Sequence, residues 1–575
     1  MPSRSSKFNR RRVLRMMGAS SIAAGTTMVS GCIGEDDPQD PDADDDGTTA
    51  DDDDGTEAAD PDEIQTGGEL RVGMTADARD PLMPHTVGDT TSIIMVENLG
   101  NGLVRATPEG EIVPDLAEDW EVSDDGETWT FTIREGVEFH PPYDREVTAE
   151  DVVENFHHTL EEGWGGGQYT GILVGEGLDV EETVVQTGEY EIQFNLPHPF
   201  PEFLQKQARL SAFGWFNIVP MEAVEEHGED FGTFETGAWG TGAFMYNVDE
   251  TTPGTTYVFD RNPNYWREGE GGQLPYVDRL VYEIIEDDTV RDTSLQAGDI
   301  HISENLTPTG IDDLRDDDNV VVQTETGTEG LYLWFNIRNS DLFPKEVRQA
   351  LAYATNLDAI VDVAFQGAAA PALSPLPPWA DGYNEDAVRT YDHDPDRARD
   401  LLDEAGVDQL EFVCNPATTQ FMVDTAQMLQ QQFVQVDVDM EVEPVSPSAA
   451  WEPMQGQWDD PDVPDEDWDA GVESYTWGFS QDDFAFSTYH PDAGWNRTFW
   501  SSDRMEEVLE ESRRATDEDE LQGYLDEFQE IITENMPHLL TVWPSNSQGH
   551  RPNVHGLDVY PTEYMFLEEV WLEDE

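Results

Sequence analysis

Arg261-Asn262-Pro263-Asn264-Tyr265-Trp266 is the stretch from which the fold can be read, once its surroundings are set beside it. Alone, Asn-Pro-Asn-Tyr marks a turn. Upstream stands a glycine-punctuated stretch, Trp239-Gly240-Thr241-Gly242-Ala243-Phe244, and downstream Leu295-Gln296-Ala297-Gly298-Asp299-Ile300. Further out, strand and helix patterns alternate. Trp129, Phe131 and Ile133 alternate with threonines, and Ile192, Phe194 and Leu196 with polar residues, the period of half-buried strands. Thr148 with Asp151 three places on predicts a helix N-cap, with Val152, Val153, Phe156 and Leu160 at helical spacing behind it. Pro344 starts a second helix carrying Val347, Ala350, Leu351 and Ala354. A third has Asp394 as N-cap, Pro395 at its first position and Gly406 past its end. A fourth pattern, from Asp503 to Asn535, predicts two helices broken around Thr516-Asp517. The expectation is a mixed α/β protein without internal repeats.

The N-terminus reads as an export signal. Arg10-Arg11-Arg12-Val13-Leu14-Arg15 is followed by an apolar run from Met16 to Val29 and by Ser30-Gly31-Cys32. Arg10 and Arg11 resemble the twin-arginine type, which carries folded proteins across the membrane. Val29-Ser30-Gly31-Cys32 resembles a lipobox, in which Cys32 takes a lipid and becomes the mature N-terminus. A plain cleaved signal and an uncleaved anchor are the alternatives. Fourteen helical residues span only ~21 Å, short of a ~30 Å hydrocarbon core. Residues 33–66 hold sixteen acids between Glu35 and Glu63 and few large apolar side chains, a composition that predicts a disordered tether. Order is expected from Gly67-Gly68-Glu69 onward. The localisation implied is the outer face of the cytoplasmic membrane.

The chain of 575 residues is too long for one core, so two or three lobes are expected. Its formal charge is −95, from 124 acids and 29 basic residues spread along the length. Such a surface repels nucleic acid. Lysine occurs only at Lys7, Lys206 and Lys345, and this balance fits a high-salt medium, where a Debye length near ~3 Å at molar salt screens repulsion. Cys414, in an apolar strand-like run, reads as a small buried hydrophobe, and with Cys32 committed to lipid no disulfide framework is expected.

Taken in order, several segments resemble one family: the solute-binding proteins of ABC importers that take up oligopeptides, dipeptides or nickel complexes, the family 5 extracellular solute-binding proteins, in a halophilic archaeal form. Arg79-Asp80-Pro81 with His85 is similar to its opening loop. Ile112-Val113-Pro114-Asp115-Leu116, the Trp239–Phe244 and Arg261–Trp266 stretches, Leu333-Trp334-Phe335-Asn336, Val347-Arg348-Gln349-Ala350 and Met536-Pro537-His538 continue the series to the C-terminus. The resemblance implies a bilobal, type II periplasmic-binding-protein-like fold with an extra inserted sub-domain and two hinge crossovers. The main lobe is expected at 67–106, 215–326 and 543–575, the inserted sub-domain at 107–214 and the second lobe at 327–542. It further implies lobes that close on a ligand, delivery to an ABC permease driven by cytoplasmic ATPases, a monomer, and no catalysis.

A solute cleft needs aromatic walls and a few placed polar groups. The resemblance points to Ser474 through Phe484, with Tyr475, Trp477, Gly478 and Asp482 as candidates. Gly478 falls where peptide-binding members place an aspartate for the ligand's amino group, so a free-amine anchor is in doubt there. Trp477 suits core packing as well as a ligand wall, and Asp482 suits a solvated turn cap as well as ligand contact. Trp495 and Arg497 offer a stacking face and a carboxylate partner. Tyr332, Trp334 and Asn336 alternate onto one face of a strand; Trp239, Met83 and His85 complete the candidates. The histidines are too scattered for a nickel site, and no metal or cofactor is expected. Gly163 to Gly167 lacks the lysine of a phosphate loop. Among function classes, a lipid-anchored solute receptor leads, with a peptide favoured and an oligosaccharide as rival. A glycosidase-like enzyme and a surface module without transport are the alternatives; neither Gly-x-Ser-x-Gly nor His-Glu-x-x-His is present.

Overall fold

A computed structural model describes residues 64–573, except 80, 88, 162–172, 174–178, 210–216, 338–341, 447–448, 451–467, 477, 494–495 and 498. The export signal with Arg10 and Arg11, Cys32, most of the acidic tether, Gly163–Gly167, Trp477 and Trp495 therefore lie outside the described residues.

One strand organises the rest. His538–His550, thirteen residues long, runs through a twelve-stranded mixed sheet. Its first part pairs with Glu329–Phe335, from Trp334 opposite His538 to Leu331 opposite Val542. Its last part pairs with Val321–Thr326, from Thr326 opposite Ser545 to Val321 opposite His550. On one side of it the order continues through Glu329–Phe335, Ala470–Thr476 and Leu410–Cys414 to Val438–Val442. On the other it continues through Ile302–Ser303, Glu69–Met74, Arg279–Ile284 and Thr256–Arg261 to Phe244–Tyr246. The chain thus passes between two halves at 326–329 and again at 542–545. Gly327 sits at the first passage with its N–H on Pro544 O at 2.9 Å, and a Cβ there would lie 2.7 Å from that same oxygen. Only glycine allows the two passages to lie so close.

The half that carries Glu329–Phe335 holds two cores. The strand Glu329–Phe335 divides them: Leu331, Leu333 and Phe335 face a cluster with the helices Lys345–Ala354 and Gln420–Phe433, while Tyr332 and Trp334 face a second cluster with Tyr475, Tyr489, Phe528 and Trp543. Strand alternation alone produces this division. Cys414 is fully buried in the first cluster, as its apolar run predicts.

A separate four-stranded antiparallel sheet holds Trp129, Phe131, Ile133 and Phe194 against Phe156 of the helix Ala149–Glu161. That helix is capped as expected: the Thr148 N–H and Oγ1 both donate to the Asp151 carboxylate, at 2.8 and 3.0 Å. Asp394 caps Pro395–Glu404 by accepting from the N–H groups of Asp396 and Arg397, and Gly406 follows in the left-handed region at φ 75°. The last pattern is indeed two helices, Asp503–Arg514 and Glu518–Asn535, with Asp517 capping the second. Among the described residues no helix is long and apolar enough to cross a membrane.

Candidate functional site

The Asn-Pro-Asn-Tyr stretch is a structural clamp. Asn262 Nδ2 donates to Gly242 O at 3.0 Å, its Oδ1 accepts from the Asn264 N–H, and Tyr265 OH donates to Glu568 Oε2 at 2.9 Å. The glycines of Trp239–Phe244 permit a close approach: a Cβ at Gly240 would lie 2.5 Å from Leu99 O, and one at Gly242 would lie 2.6 Å from Gly100 N. They press this loop onto the C-terminal end of the helix Thr90–Leu99, where Gly242 N–H donates to Leu99 O at 2.9 Å.

The sequence-derived candidates separate into three places. Met83 packs with Val219, Ala223, Val224 and Phe231. His85 is buried, and burial, then the neighbouring His158, push its pKa down to about 3, so it is neutral. Trp239 stacks on His227 and meets Tyr143 edge-on. In the other half, Tyr332 and Trp334 do share a strand face, but that face is core: they are 3% and 1% exposed and pack against His538, Trp543 and Tyr475. Asn336 is tied to the chain by Nδ2 donating to Trp468 O at 2.9 Å. Tyr475 OH accepts from Arg497 Nε at 2.6 Å, both groups being buried, and Gly478 is buried in the following loop.

The third place joins parts of the chain far apart. Phe203 and Leu204 anchor the short helix Phe203–Gln207 to the core of the four-stranded sheet, and Lys206 leaves it toward Asp482 and Asp483. Its ammonium sits between the Asp482 and Asp483 carboxylates, 3.1 Å from Asp482 Oδ2. Arg513 takes Asp482 from the far side as a fork, at 2.6 and 2.8 Å, with its guanidinium over the Phe486 ring. Glu202 accepts from Ser480 Oγ and the Asp482 N–H at 2.6 and 2.8 Å. The solvated turn-cap reading of Asp482 does not hold, because the side chain is 5% exposed and carries two cations. Burial opposes its ionisation, yet Arg513 and then Lys206 hold it well below the carboxylate range. Asp483 shifts upward because burial outweighs its single lysine. Burial also lifts Glu202 to about 7, against its hydrogen bonds.

Beside the chain passages lies a second acidic group, from Glu329, Glu473, Glu563 and Glu304. Burial pushes Glu329 and Glu473 up to about 8 and Glu304 to about 7, with neighbouring carboxylates adding to each shift. Sequence reading missed this group and Glu202, Lys206 and Arg513 alike. Only the rarity of lysine could have flagged Lys206. Among the described residues no group of three or more His, Cys, Asp or Glu is placed to hold a metal ion.

Two half-sheets joined by two strand passages define a bilobal architecture. Comparison with solved structures agrees: the ABC transporter-associated periplasmic binding protein DppA of Helicobacter pylori, in complex with a peptide, superposes with a TM-score of 0.73 at 22% identity, over 89% of this chain and 99% of that one. The substrate-binding protein CtaP of Listeria monocytogenes superposes with a TM-score of 0.76 at 22% identity, over 89% and 100%. The fold is the two-domain, type II periplasmic-binding-protein fold. Residues 111–497 match the middle region of the bacterial extracellular solute-binding proteins, family 5, and the chain belongs to that family. The dipeptide-binding protein of Escherichia coli is 31% identical over 56% of this chain, an alignment that spans 60% of that protein. Di/tripeptide-binding protein 2 of Pseudomonas aeruginosa is 27% identical over 80% of this chain and 87% of its own length.

Proposed function

We propose that this protein is the extracytoplasmic receptor of an ABC importer, capturing a small peptide between its two halves and handing it to a membrane permease with cytoplasmic ATPases. In this reading the main lobe comprises 67–106, 215–326 and 543–575, the inserted sub-domain 107–214 and the second lobe 327–542. Cys32 carries the lipid that holds it outside the cell, after export through Arg10 and Arg11. The protein catalyses nothing, and its acidity suits molar salt.

The observation that carries this reading is the seam of Glu202, Lys206, Asp482, Asp483 and Arg513, which ties parts of the two halves together beside two narrow chain passages. Two rigid bodies joined by two short strands move as a hinge, and contacts made only on closure make the closed state selectable by a ligand. The relatives named for dipeptides and tripeptides support peptide as the solute class. Tyr332 and Trp334, two of the aromatic candidates for a cleft wall, are spent on core packing. Thermal-shift screening at molar salt against di- and tripeptides and oligosaccharides tests the assignment. A melting temperature raised by peptides supports it; one raised only by a saccharide reverses the solute class.

A further inference from the structure

The seam that Lys206 forms with Asp482 and Asp483 is unbalanced in charge. Glu202, Asp482 and Asp483 bring three carboxylates to it, and Lys206 and Arg513 bring two cations. Glu202, Lys206, Asp482 and Asp483 are all buried, and the Arg513 side chain is only 10% exposed. Both cations are committed to the aspartates: Lys206 reaches Asp482 and Asp483, and Arg513 takes Asp482 as a fork. Glu202 receives neutral donors instead, Ser480 Oγ at 2.6 Å and the Asp482 N–H at 2.8 Å. Among the described residues no cation pairs with it.

The charged groups around Glu202 come from three elements. Lys206 stands four residues on, in the helix Phe203–Gln207. Asp482 and Asp483 come from the segment that follows the strand Ala470–Thr476. Arg513 comes from the helix Asp503–Arg514, with its guanidinium 5.8 Å from the centre of the Phe200 ring. With every group ionised, one buried negative charge is left without a counterion, which is costly in a poorly solvated seam. A proton removes it, and the carboxylate without a cation is the one that takes it most readily. Both hydrogen bonds to Glu202 fall on Oε2, which leaves Oε1 for that proton. Burial, with the Asp482 charge adding to it, lifts Glu202 to about 7 against Ser480, the Asp482 N–H and Lys206.

We propose that Glu202 is a proton-operated latch: the halves seal with its carboxyl protonated, so that capture of a solute takes up a proton. The proton comes from solvent, binds Oε1 as the seam forms, and returns to solvent when the seam opens. The inference rests on the receptor reading above and adds to it a means of regulation. In the open state Glu202 meets water, where a glutamate titrates near ~4.3. The closed state therefore binds more protons, and closure strengthens as pH falls through about 7, levelling off near the ordinary glutamate value. Above that window the seam has to close on a bare carboxylate, and affinity is lost.

The test is calorimetric titration of the full chain with alanyl-alanine at molar salt, on the wild type, E202Q and S480A. Measured at about pH 6 in two buffers of different ionisation enthalpy, the wild type should take up close to one proton per dipeptide, and E202Q about one fewer. Between about pH 5 and 8 the wild-type affinity should fall by some tens of fold, a fall that E202Q escapes. S480A removes a donor that favours the ionised form, so the fall should move to higher pH. Equal proton uptake by wild type and E202Q overturns the latch and leaves the receptor standing. So does an E202Q affinity below wild type by the same factor at every pH, the mark of a merely structural glutamate, or a fall that S480A leaves unmoved. If alanyl-alanine binds none of the three chains, the peptide reading fails and the ligand-free melting temperature decides the latch. The advantage of E202Q over wild type should then grow from about pH 5 to 8, and a constant difference overturns the latch.

Discussion

Replacing Lys206 by methionine should cost the closed state far more than the fold. The substitution keeps the length of the side chain and removes the charge between Asp482 and Asp483. Asp482 retains the forked Arg513, so Asp483 becomes the orphan. Removing one partner of a buried pair costs about 3–5 kcal/mol. Asp483 limits the loss by taking a proton, which from an ordinary carboxylate value costs at most about 4 kcal/mol at neutral pH. Its pKa already lies above the usual range, so less is needed, and about 3 kcal/mol is the expected loss. If closure carries all of it, the apparent affinity for alanyl-alanine falls roughly 150-fold. Calorimetry gives the affinity, and small-angle scattering gives the compaction that accompanies binding. Adding Asp483→Asn to the same chain removes the orphan and should restore about 2 kcal/mol, a coupling within the range of neighbouring sites. Wild-type affinity in Lys206→Met would refute the seam as a closure contact. So would a loss of ellipticity equal to the loss of binding, which would make Lys206 a residue of the fold alone.

Other outcomes follow from the same structure. Glu202, Glu304, Glu329 and Glu473 have pKa values raised to about 7 or 8, so the folded chain holds protons the unfolded chain releases above about pH 4.5. Ligand-free stability should therefore fall as pH rises from about 5 to 8, and a melting temperature flat or rising across that window contradicts those shifts. Gly242→Ala places a Cβ against the Leu99–Gly100 backbone and should destabilise by about 1–3 kcal/mol in denaturant unfolding, whereas an unchanged midpoint would mean the loop can lift away. Asp151→Ala removes both Thr148 hydrogen bonds and an Arg145 partner, and should cost about 1–2 kcal/mol by the same measurement. Dilution from molar to low salt should reduce compactness through carboxylate repulsion, and an unchanged circular dichroism spectrum would reject that.

Local features were legible in the sequence and the site was not, for a physical reason. The caps at Thr148 and Asp394 depend on residues two or three places apart, and the strand through Trp129, Phe131 and Ile133 on a period of two. Those distances fit within a short window of sequence. Lys206 and Asp483 are 277 residues apart, and nothing in either neighbourhood requires them to meet. Tyr332 and Trp334 show the boundary well. Alternation places them correctly on one face, but whether that face meets a cleft or a core depends on Phe528 and Trp543, which arrive from elsewhere in the chain. The family resemblance carried the long-range architecture that periodicity could not. It pointed to residues 474–484, and nothing in that stretch signalled that Asp482 pairs with Lys206 and Arg513.

Small-angle scattering at molar salt, on the wild-type chain with and without saturating alanyl-alanine, tests the central claim most directly. Hinge closure predicts a smaller radius of gyration with the dipeptide than without it, and no such change in Lys206→Met at the same concentration. Superimposable curves for the wild type, with calorimetry on the same sample showing the dipeptide bound, would contradict closure of the two halves around a solute.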